Sequence, residues 1–231
     1  MIAKLAARTF FAAMLASLPA APAPGQPGQD RRLLPVDEAS RDSSWVSFRN
    51  QLLNAVQARD RKYVMGILAP DVRANLEAPH GPAEFQKQWD VDADNSPLWH
   101  ALRSALFLGS AYVTREKGGR ELCAPYVLAK WPQDLDPFHH GAVIAREVLV
   151  KAEPSSRSAT LQVLSYDIVA VADWEVADKA PGVPQRWVKI EVKNGEGYVP
   201  AEQIRSAVEH AACFVKTARG WRMTALAPGG G

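Results

Sequence analysis

Apolar residues recur every three or four positions beyond residue 43, and this spacing predicts amphipathic helices in the first part of the chain. The first helix begins near Ser43-Ser44. Its apolar face consists of Trp45, Phe48, Leu52 and Val56. A helix needs such a face to pack against the rest of a domain, so we interpret these aromatic residues as core.

A second helix is predicted to follow Asp60, because a short carboxylate side chain is a good N-terminal cap. Its buried side includes Ile67 and Leu68, and Pro70 ends it because proline cannot donate to the helical ladder. Two further short helices follow. Residues 43–142 are therefore predicted to be a mostly helical domain with a hairpin.

The pattern changes to strict alternation at two predicted hairpins. The first joins a strand at 112–114 to one at 122–123 through Gly118-Gly119, where glycine tolerates the positive φ of a tight turn. The second occupies the C-terminal segment, 207–231. If this second hairpin packs on the helical domain, the segment 143–206 is an insertion in that domain.

The segment 143–206 is dense in β-branched residues arranged in short alternating runs, which predicts about five strands. Turn residues separate the runs, and such a series is typical of a small barrel. The last turn, Asn194-Gly195, is expected to align the strand of Trp187 with the strand of Tyr198.

These runs resemble, in their order and spacing, the bacterial SH3-type domain called SH3b. The matching elements are Val148–Lys151, Pro154-Ser155, Leu161–Leu164, Ile168–Val171, Trp187–Ile190, Asn194-Gly195 and Gly197–Val199. The departures are Lys151, where arginine is commoner, Glu153, where glycine is commoner, and a longer insertion at 173–186. The resemblance implies an α+β fold with a helical N-terminal region, a small SH3-like β-barrel and a C-terminal β-hairpin.

Small barrels of this type bind extended peptides in aromatic-lined grooves, so the aromatic residues of the segment are candidate ligand-binding residues. Trp174 and Asp173 are expected at the rim, because an exposed tryptophan in a loop generally has a partner. Trp187 and Tyr198 each have two interpretations. Either residue fills the core of the barrel or forms an exposed wall of the groove.

The start of the chain has the pattern of an export signal. Lys4 and Arg8 flank an apolar run, Phe10–Leu18, and Ala21-Pro22-Ala23 offers the small residues that a signal peptidase accepts. The run is shorter than the ~20 residues of a membrane span. Residues 1–23 are therefore predicted to be a signal peptide, the protein is expected to be periplasmic or secreted, and no membrane span is expected in the mature chain.

Residues 24–42 are rich in proline, glycine and glutamine, which predicts a flexible leader. The whole chain has 27 Lys and Arg against 25 Asp and Glu, and loss of Lys4 and Arg8 would leave 25 of each. Because no Lys- or Arg-rich run remains, we expect no nucleic-acid partner.

Two cysteines, Cys123 and Cys213, would reach an oxidising compartment. A disulfide between them and two buried, unreactive thiols are both consistent with the sequence.

SH3b domains often accompany cell-wall hydrolases, so the resemblance raises the question of catalytic motifs. Cys123 lies in Leu-Cys-Ala-Pro, which is not the context of a nucleophilic cysteine with a nearby base. The stretch Asp134–His140 holds two carboxylates and two imidazoles, but adjacent histidine side chains diverge, and a solvated loop is the better interpretation. We therefore expect no catalytic residue, metal or cofactor.

The sequence predicts an exported, non-catalytic binding protein of the bacterial cell envelope. Its partner would be a peptide, a cell-wall component or an envelope protein, bound by the SH3-like barrel. The alternative is a cell-wall hydrolase whose site is assembled from residues of 44–140, since the carboxylates of glycosidases leave little local trace.

Overall fold

The computed structural model describes residues 31–76, 80–115, 118–193 and 195–229. Outside these ranges lie the predicted signal peptide (1–23), the first part of the predicted leader (24–30) and Asn194 of the predicted turn. The fold is α+β, with helices and two β-sheets.

The helices of the described residues are α1 Ser43–Ala58, α2 Arg61–Gly66, α3 Pro82–Gln88, α4 Leu98–Phe107, α5 Tyr126–Lys130 and a 3-10 helix, Ala201–Gln203. The predicted start of α1 is confirmed. Asp42 caps it by accepting a hydrogen bond from the Ser44 backbone N–H at 2.9 Å. Within the described ranges, no helix combines the length and the apolar character that crossing a membrane requires.

The strands are β1 Leu68–Arg73, β2 Ala111–Thr114, β3 Arg120–Ala124, β4 His140–Val143, β5 Val148–Lys151, β6 Thr160–Leu164, β7 Ile168–Ala177, β8 Arg186–Val192, β9 Gly195–Pro200, β10 Ile204–Arg205, β11 His210–Thr217 and β12 Gly220–Pro228. They form a five-stranded sheet in the order β1-β12-β11-β3-β2 and a seven-stranded sheet in the order β10-β4-β7-β8-β9-β5-β6.

The five-stranded sheet contains both predicted hairpins. β2 pairs with β3, and the turn glycines Gly118 and Gly119 have φ of 81° and 85°. The C-terminal hairpin of β11 and β12 lies between β1 and β3, in the middle of the sheet. Its Phe214 and Trp221 rings lie 5.1 Å and 5.0 Å from the Trp45 ring of α1, so helix and hairpin share one core.

The prediction that the second helix extends to Pro70 is wrong. Asp60 does cap α2, accepting from the Tyr63 N–H at 2.9 Å, but the helix ends at Gly66. The next residues form β1, which runs parallel to β12 with Leu68 opposite Met223. Proline is tolerated here because β1 is an edge strand, where one missing donor costs little.

The seven-stranded sheet is antiparallel throughout and has more strands than the five predicted. The predicted pairing of the Trp187 strand with the Tyr198 strand is confirmed, since β8 pairs with β9 through Lys189 and Tyr198. Among the described residues, the edge strands β6 and β10 are not paired with each other. The sheet is therefore not closed by hydrogen bonds into a barrel.

The predicted insertion at 173–186 is shorter than expected. β7 continues to Ala177, and its Val176 lies opposite Trp187 of β8. The connection between the two strands is residues 178–185. Asp173 and Trp174 are thus strand residues, because cross-strand pairing extends β7 beyond the apolar run that marked it in the sequence.

The predicted flexible leader is wrong for residues 31–42. Leu33 is buried in a cluster with Tyr126 and Ala142, which joins the two sheets. Arg31 donates to Asp134 at 2.6 Å, and the Leu33 N–H donates to the Tyr166 carbonyl at 2.8 Å. One buried leucine and these hydrogen bonds order a segment whose composition alone favours flexibility.

Candidate functional site

Trp187 is a core residue and not the wall of a groove. Its side chain is 2% exposed and lies between the cross-strand neighbours Val176 and Pro200. The indole N–H donates to Asp178 Oδ2 at 2.9 Å. Of the two interpretations that the sequence allowed, burial favours the core, and the indole also anchors the start of the 178–185 connection.

Trp174 has a structural role rather than a place on a loop rim. Its half-buried ring packs against the backbone of Gly141, which has no side chain to obstruct it. The indole N–H donates to the Phe138 carbonyl at 3.0 Å. Trp174 therefore ties β7 to the segment that leads into β4.

Asp173 and Tyr198 lie in one cross-strand row with Lys189 between them. Asp173 is exposed and Tyr198 is half-buried. The Lys189 ammonium group lies 2.6 Å from Glu196, and this hydrogen bond raises the pKa of Lys189. The two residues line neither of the cavities described below, and their binding role stays a prediction.

A groove of about 630 Å³ lies where α4, the 3-10 helix and the 178–185 connection meet. We call it the junction groove because it lies between the two sheets. α4 packs against the five-stranded sheet, and the other two segments connect strands of the seven-stranded sheet. Its apolar lining is Phe107, Leu108, Ile144, Pro184, Ala201 and Ile204. Phe107 is 63% exposed, although aromatic side chains usually bury most of their surface.

The walls of the junction groove are held together by side chains. Gln185 donates from Nε2 to Glu202 Oε2 at 2.7 Å, which joins the connection to the 3-10 helix. Pro200, the residue before that helix, lies opposite Trp187. The buried indole thus contacts the residues at the start of both segments.

Arg205 lies at the floor of the junction groove and is only 6% exposed. Its guanidinium group donates to Ser104 Oγ at 2.5 Å and to the His210 carbonyl at 2.9 Å. Glu209 is 3.5 Å away, and Nε has no hydrogen-bond partner. Burial lowers the pKa of Arg205, because a charge is less stable away from water.

The charged side chains of the junction groove differ in how well they are paired. Glu202 accepts from Gln185, and Glu209 accepts from the Ser206 N–H at 2.8 Å. Arg186 is exposed and forms no ion pair with any residue that the structure describes. Each glutamate thus accepts a hydrogen bond within the protein, whereas the Arg186 side chain has no such partner among the described residues.

A second, smaller cavity of about 320 Å³ lies beside β2 and β11. Its basic residues already have partners within the protein. Arg115 lies 3.3 Å from Glu121, and the Arg120 guanidinium lies 4.0 Å from the centre of the Tyr112 ring. These contacts leave less unsatisfied charge for a ligand than the junction groove does.

Cys123 and Cys213 form a disulfide between β3 and β11, which decides between the two states that the sequence allowed. With Glu121 they are the only group of three metal-ligand side chains within the described ranges. Both sulfurs are bonded to each other, and Glu121 pairs with Arg73 at 3.0 Å. In this oxidised form no thiolate is available to a metal.

The acidic and histidine residues of 134–140 do not converge on one point. Asp134 is paired with Arg31, and Asp136 Oδ2 lies 2.5 Å from His139 Nδ1. The hydrogen bonds from His139 and Phe138 lower the pKa of Asp136. This stretch is a hydrogen-bonded surface loop that leads into β4.

No family model matches this chain, and neither a curated protein nor a solved structure is similar to it. The candidate site is therefore the junction groove. Sequence reasoning missed this groove because its residues come from distant segments. The stretch around Arg205, Glu202-Gln203-Ile204-Arg205-Ser206, is mostly polar, so it gave no local signal of a buried arginine.

Proposed function

We propose that this protein is an exported, non-catalytic binding protein of the bacterial cell envelope, and that its junction groove binds an extended peptide. The groove is the observation that carries the proposal. Its volume of about 630 Å³ lies within the ~300–1,000 Å³ that is typical of ligand sites. It also combines six apolar lining residues with seven polar or charged ones, so it offers both apolar contact and hydrogen-bonding groups.

The order of the strands supports an SH3-like assignment of the seven-stranded sheet. β5, a turn with Pro154-Ser155, β6, β7, the Trp187 strand β8 and the Tyr198 strand β9 follow one another as the SH3b resemblance implies. Small barrels of this type bind extended peptides in aromatic-lined grooves. The proposed groove differs from the one expected from sequence, because α4 supplies its aromatic wall.

The contacts around the groove support a preformed site. Phe107 and Pro184 present apolar surface, and the Gln185–Glu202 hydrogen bond fixes the distance between the connection and the 3-10 helix. A site that is ordered before binding loses less conformational entropy when the ligand arrives. Such a groove can bind a short peptide without large rearrangement.

The disulfide supports the export part of the proposal. Bonds such as Cys123–Cys213 persist in oxidising compartments and are rare in the cytosol, where thiols are kept reduced. The predicted signal peptide at 1–23 agrees with that location.

The test uses the chain without residues 1–23, with its disulfide formed, and a displayed library of random decapeptides as the probe. Selected sequences are resynthesised with a fluorescent label and titrated against the wild type, Phe107→Ser and Phe138→Ser. Phe138 is the matched control, because it is 66% exposed and lies outside the groove. We expect Phe107→Ser to weaken binding by about tenfold or more, as truncation of an interface anchor does, and Phe138→Ser to leave it unchanged.

Two results would overturn the proposal: a library that yields no binder, or binders that are equally insensitive to both substitutions. Purified cell-wall sacculi give a second arm. Pelleting of the protein with sacculi indicates a cell-wall peptide as the source, whereas binding of selected peptides without pelleting indicates a protein segment. Loss of sacculus turbidity would instead support the hydrolase alternative.

A further inference from the structure

Arg205 carries a guanidinium group that its surroundings satisfy only in part. Its Nε–H has no acceptor, although the side chain is almost fully buried. A buried donor without a partner is unfavourable, and native proteins rarely leave one unpaired. The donor therefore calls for an acceptor that the chain itself does not provide.

The positive charge of Arg205 is also poorly balanced. Two of its three partners, the Ser104 hydroxyl and the His210 carbonyl, are neutral. The third, Glu209, is 3.5 Å away with a side chain that is 42% exposed, so water weakens the attraction. Burial lowers the pKa of His210, and the positive charge of Arg205 lowers it further.

Arg205 lines the junction groove, as do Ser104 and Glu209, the two side chains that its guanidinium group contacts. Arg186 lines the same groove and has no ion pair among the described residues. The groove thus places two arginines, together with Glu202 and Glu209, beside apolar walls. A negatively charged group on an otherwise apolar ligand fits both features.

We propose that the junction groove binds a carboxylate of an apolar peptide, with Arg205 as its hydrogen-bond donor and Arg186 as a second positive charge. This inference rests on the proposed peptide-binding function. The planar guanidinium fork matches the two oxygens of a carboxylate, and charge-assisted hydrogen bonds of this kind are strong. Phe107 and Pro184 contact the apolar side chain beside it.

A carboxylate suits the groove better than a phosphate. Glu202 and Glu209 also line the groove, and their charges repel a dianion more than a monoanion. The carboxylate has two sources, the C-terminus of a peptide or the side chain of an aspartate or glutamate. The experiment separates them.

The experiment follows the arginine Nε–H signals of the ¹⁵N-labelled protein by NMR. The probes are N-acetyl-leucine, its amide, and N-acetyl-glutamyl-leucine amide, which carries its carboxylate on a side chain. The Arg205 signal is assigned by its loss in Arg205→Lys. We expect it to shift saturably with one of the acids and about tenfold more weakly with the amide that lacks a carboxylate, as expected for loss of a charge-assisted bond. The acid that binds more tightly identifies the source.

Arg186→Gln gives a second variant in case Arg205→Lys does not fold, since Arg186 is exposed. Arg186→Gln should weaken binding of the acid and leave binding of the amide unchanged. Arg146→Gln, which lies outside the groove, should change the binding of neither probe. Equal binding of acid and amide, or tighter binding of inorganic phosphate than of acetate, overturns the carboxylate inference. If the carboxylate inference fails but Phe107→Ser still weakens binding of the library peptides, the peptide-binding proposal stands. If Phe107→Ser has no effect either, both proposals fail.

Discussion

The indole N–H of Trp187 donates to Asp178 Oδ2 at 2.9 Å and so joins β8 to the connection that walls the junction groove. Trp187→Phe keeps most of the ring but removes this donor. We expect a loss of about 1–3 kcal/mol or more in the free energy of unfolding, because a hydrogen bond is broken and the smaller ring leaves a cavity. Urea denaturation measures it.

The same pair can be tested by a double-mutant cycle. Asp178→Ala removes the acceptor, so the double variant should be less destabilised than the sum of the two single variants, by about 0.5–3 kcal/mol. Additive losses would mean that the hydrogen bond contributes nothing. Peptide binding in the groove should also weaken in Trp187→Phe, although this variant leaves Phe107 unchanged.

Reduction of the Cys123–Cys213 disulfide should destabilise the protein by about 2–4 kcal/mol. The two cysteines are 90 residues apart, so the bond removes much freedom from the unfolded chain. Denaturation with and without reductant measures the difference. The variant Cys123→Ala/Cys213→Ala should have the same reduced free energy of unfolding in both conditions. If reductant does not change the stability of the wild type, the disulfide is contradicted.

Local patterns were enough to predict parts of this fold. The tight turn at Gly118-Gly119 requires positive φ, which glycine tolerates whatever the rest of the fold is. The apolar residues around Trp45 have helical spacing, which can be read from that segment alone. The pairing of the Trp187 strand with the Tyr198 strand is similarly local. These elements depend on interactions between residues close in sequence, which a single sequence records.

The elements that were mispredicted depend on distant residues. Leu68 fits a helix by its spacing, but pairing with Met223 makes it a strand residue. Asp173 and Trp174 look like an exposed loop until β8 lies beside β7. The groove has the same cause, since Phe107 and Arg205 are distant in sequence and meet only where α4 lies beside β10, at the Arg205–Ser104 hydrogen bond.

Asp42 should make stability depend on pH in acid. Hydrogen bonds from Ser44, followed by Lys216, lower its pKa to about 2 from 3.8. A group with a lowered pKa in the folded state stabilises the fold above its unfolded value, so this contribution is present above pH 3.8 and is lost as the pH falls towards 2. Asp42→Asn, which keeps a good helix cap, should flatten the stability profile over that range.

Thermal denaturation between pH 2 and 5 measures this effect. Gln57→Ala, an exposed substitution on α1 without a titrating group, should keep the slope of the wild type. An Asp42→Asn variant with the wild-type slope would show that other groups account for the acid sensitivity.

Gly141 lies where β4 meets two large side chains, and a methyl group there has no space. A Cβ atom would lie 2.7 Å from Ile204 Cδ1 and 2.9 Å from Trp174 Cη2. Gly141→Ala should therefore cost about 1–3 kcal/mol through overpacking. Since Ile204 precedes Arg205 and lines the junction groove, peptide affinity should fall as well.

Gly66 provides the matched control for that substitution. It ends α2, its Cβ would meet nothing within 4 Å, and alanine restricts the unfolded chain more than glycine does. Gly66→Ala should thus leave stability unchanged or raise it by about 0.4–1 kcal/mol. Urea denaturation of both variants compares the two sites directly. Equal stability of the Gly141 and Gly66 variants would mean that Trp174 and Ile204 can move aside, and that the packing between β4, β7 and β10 does not set the position of Arg205.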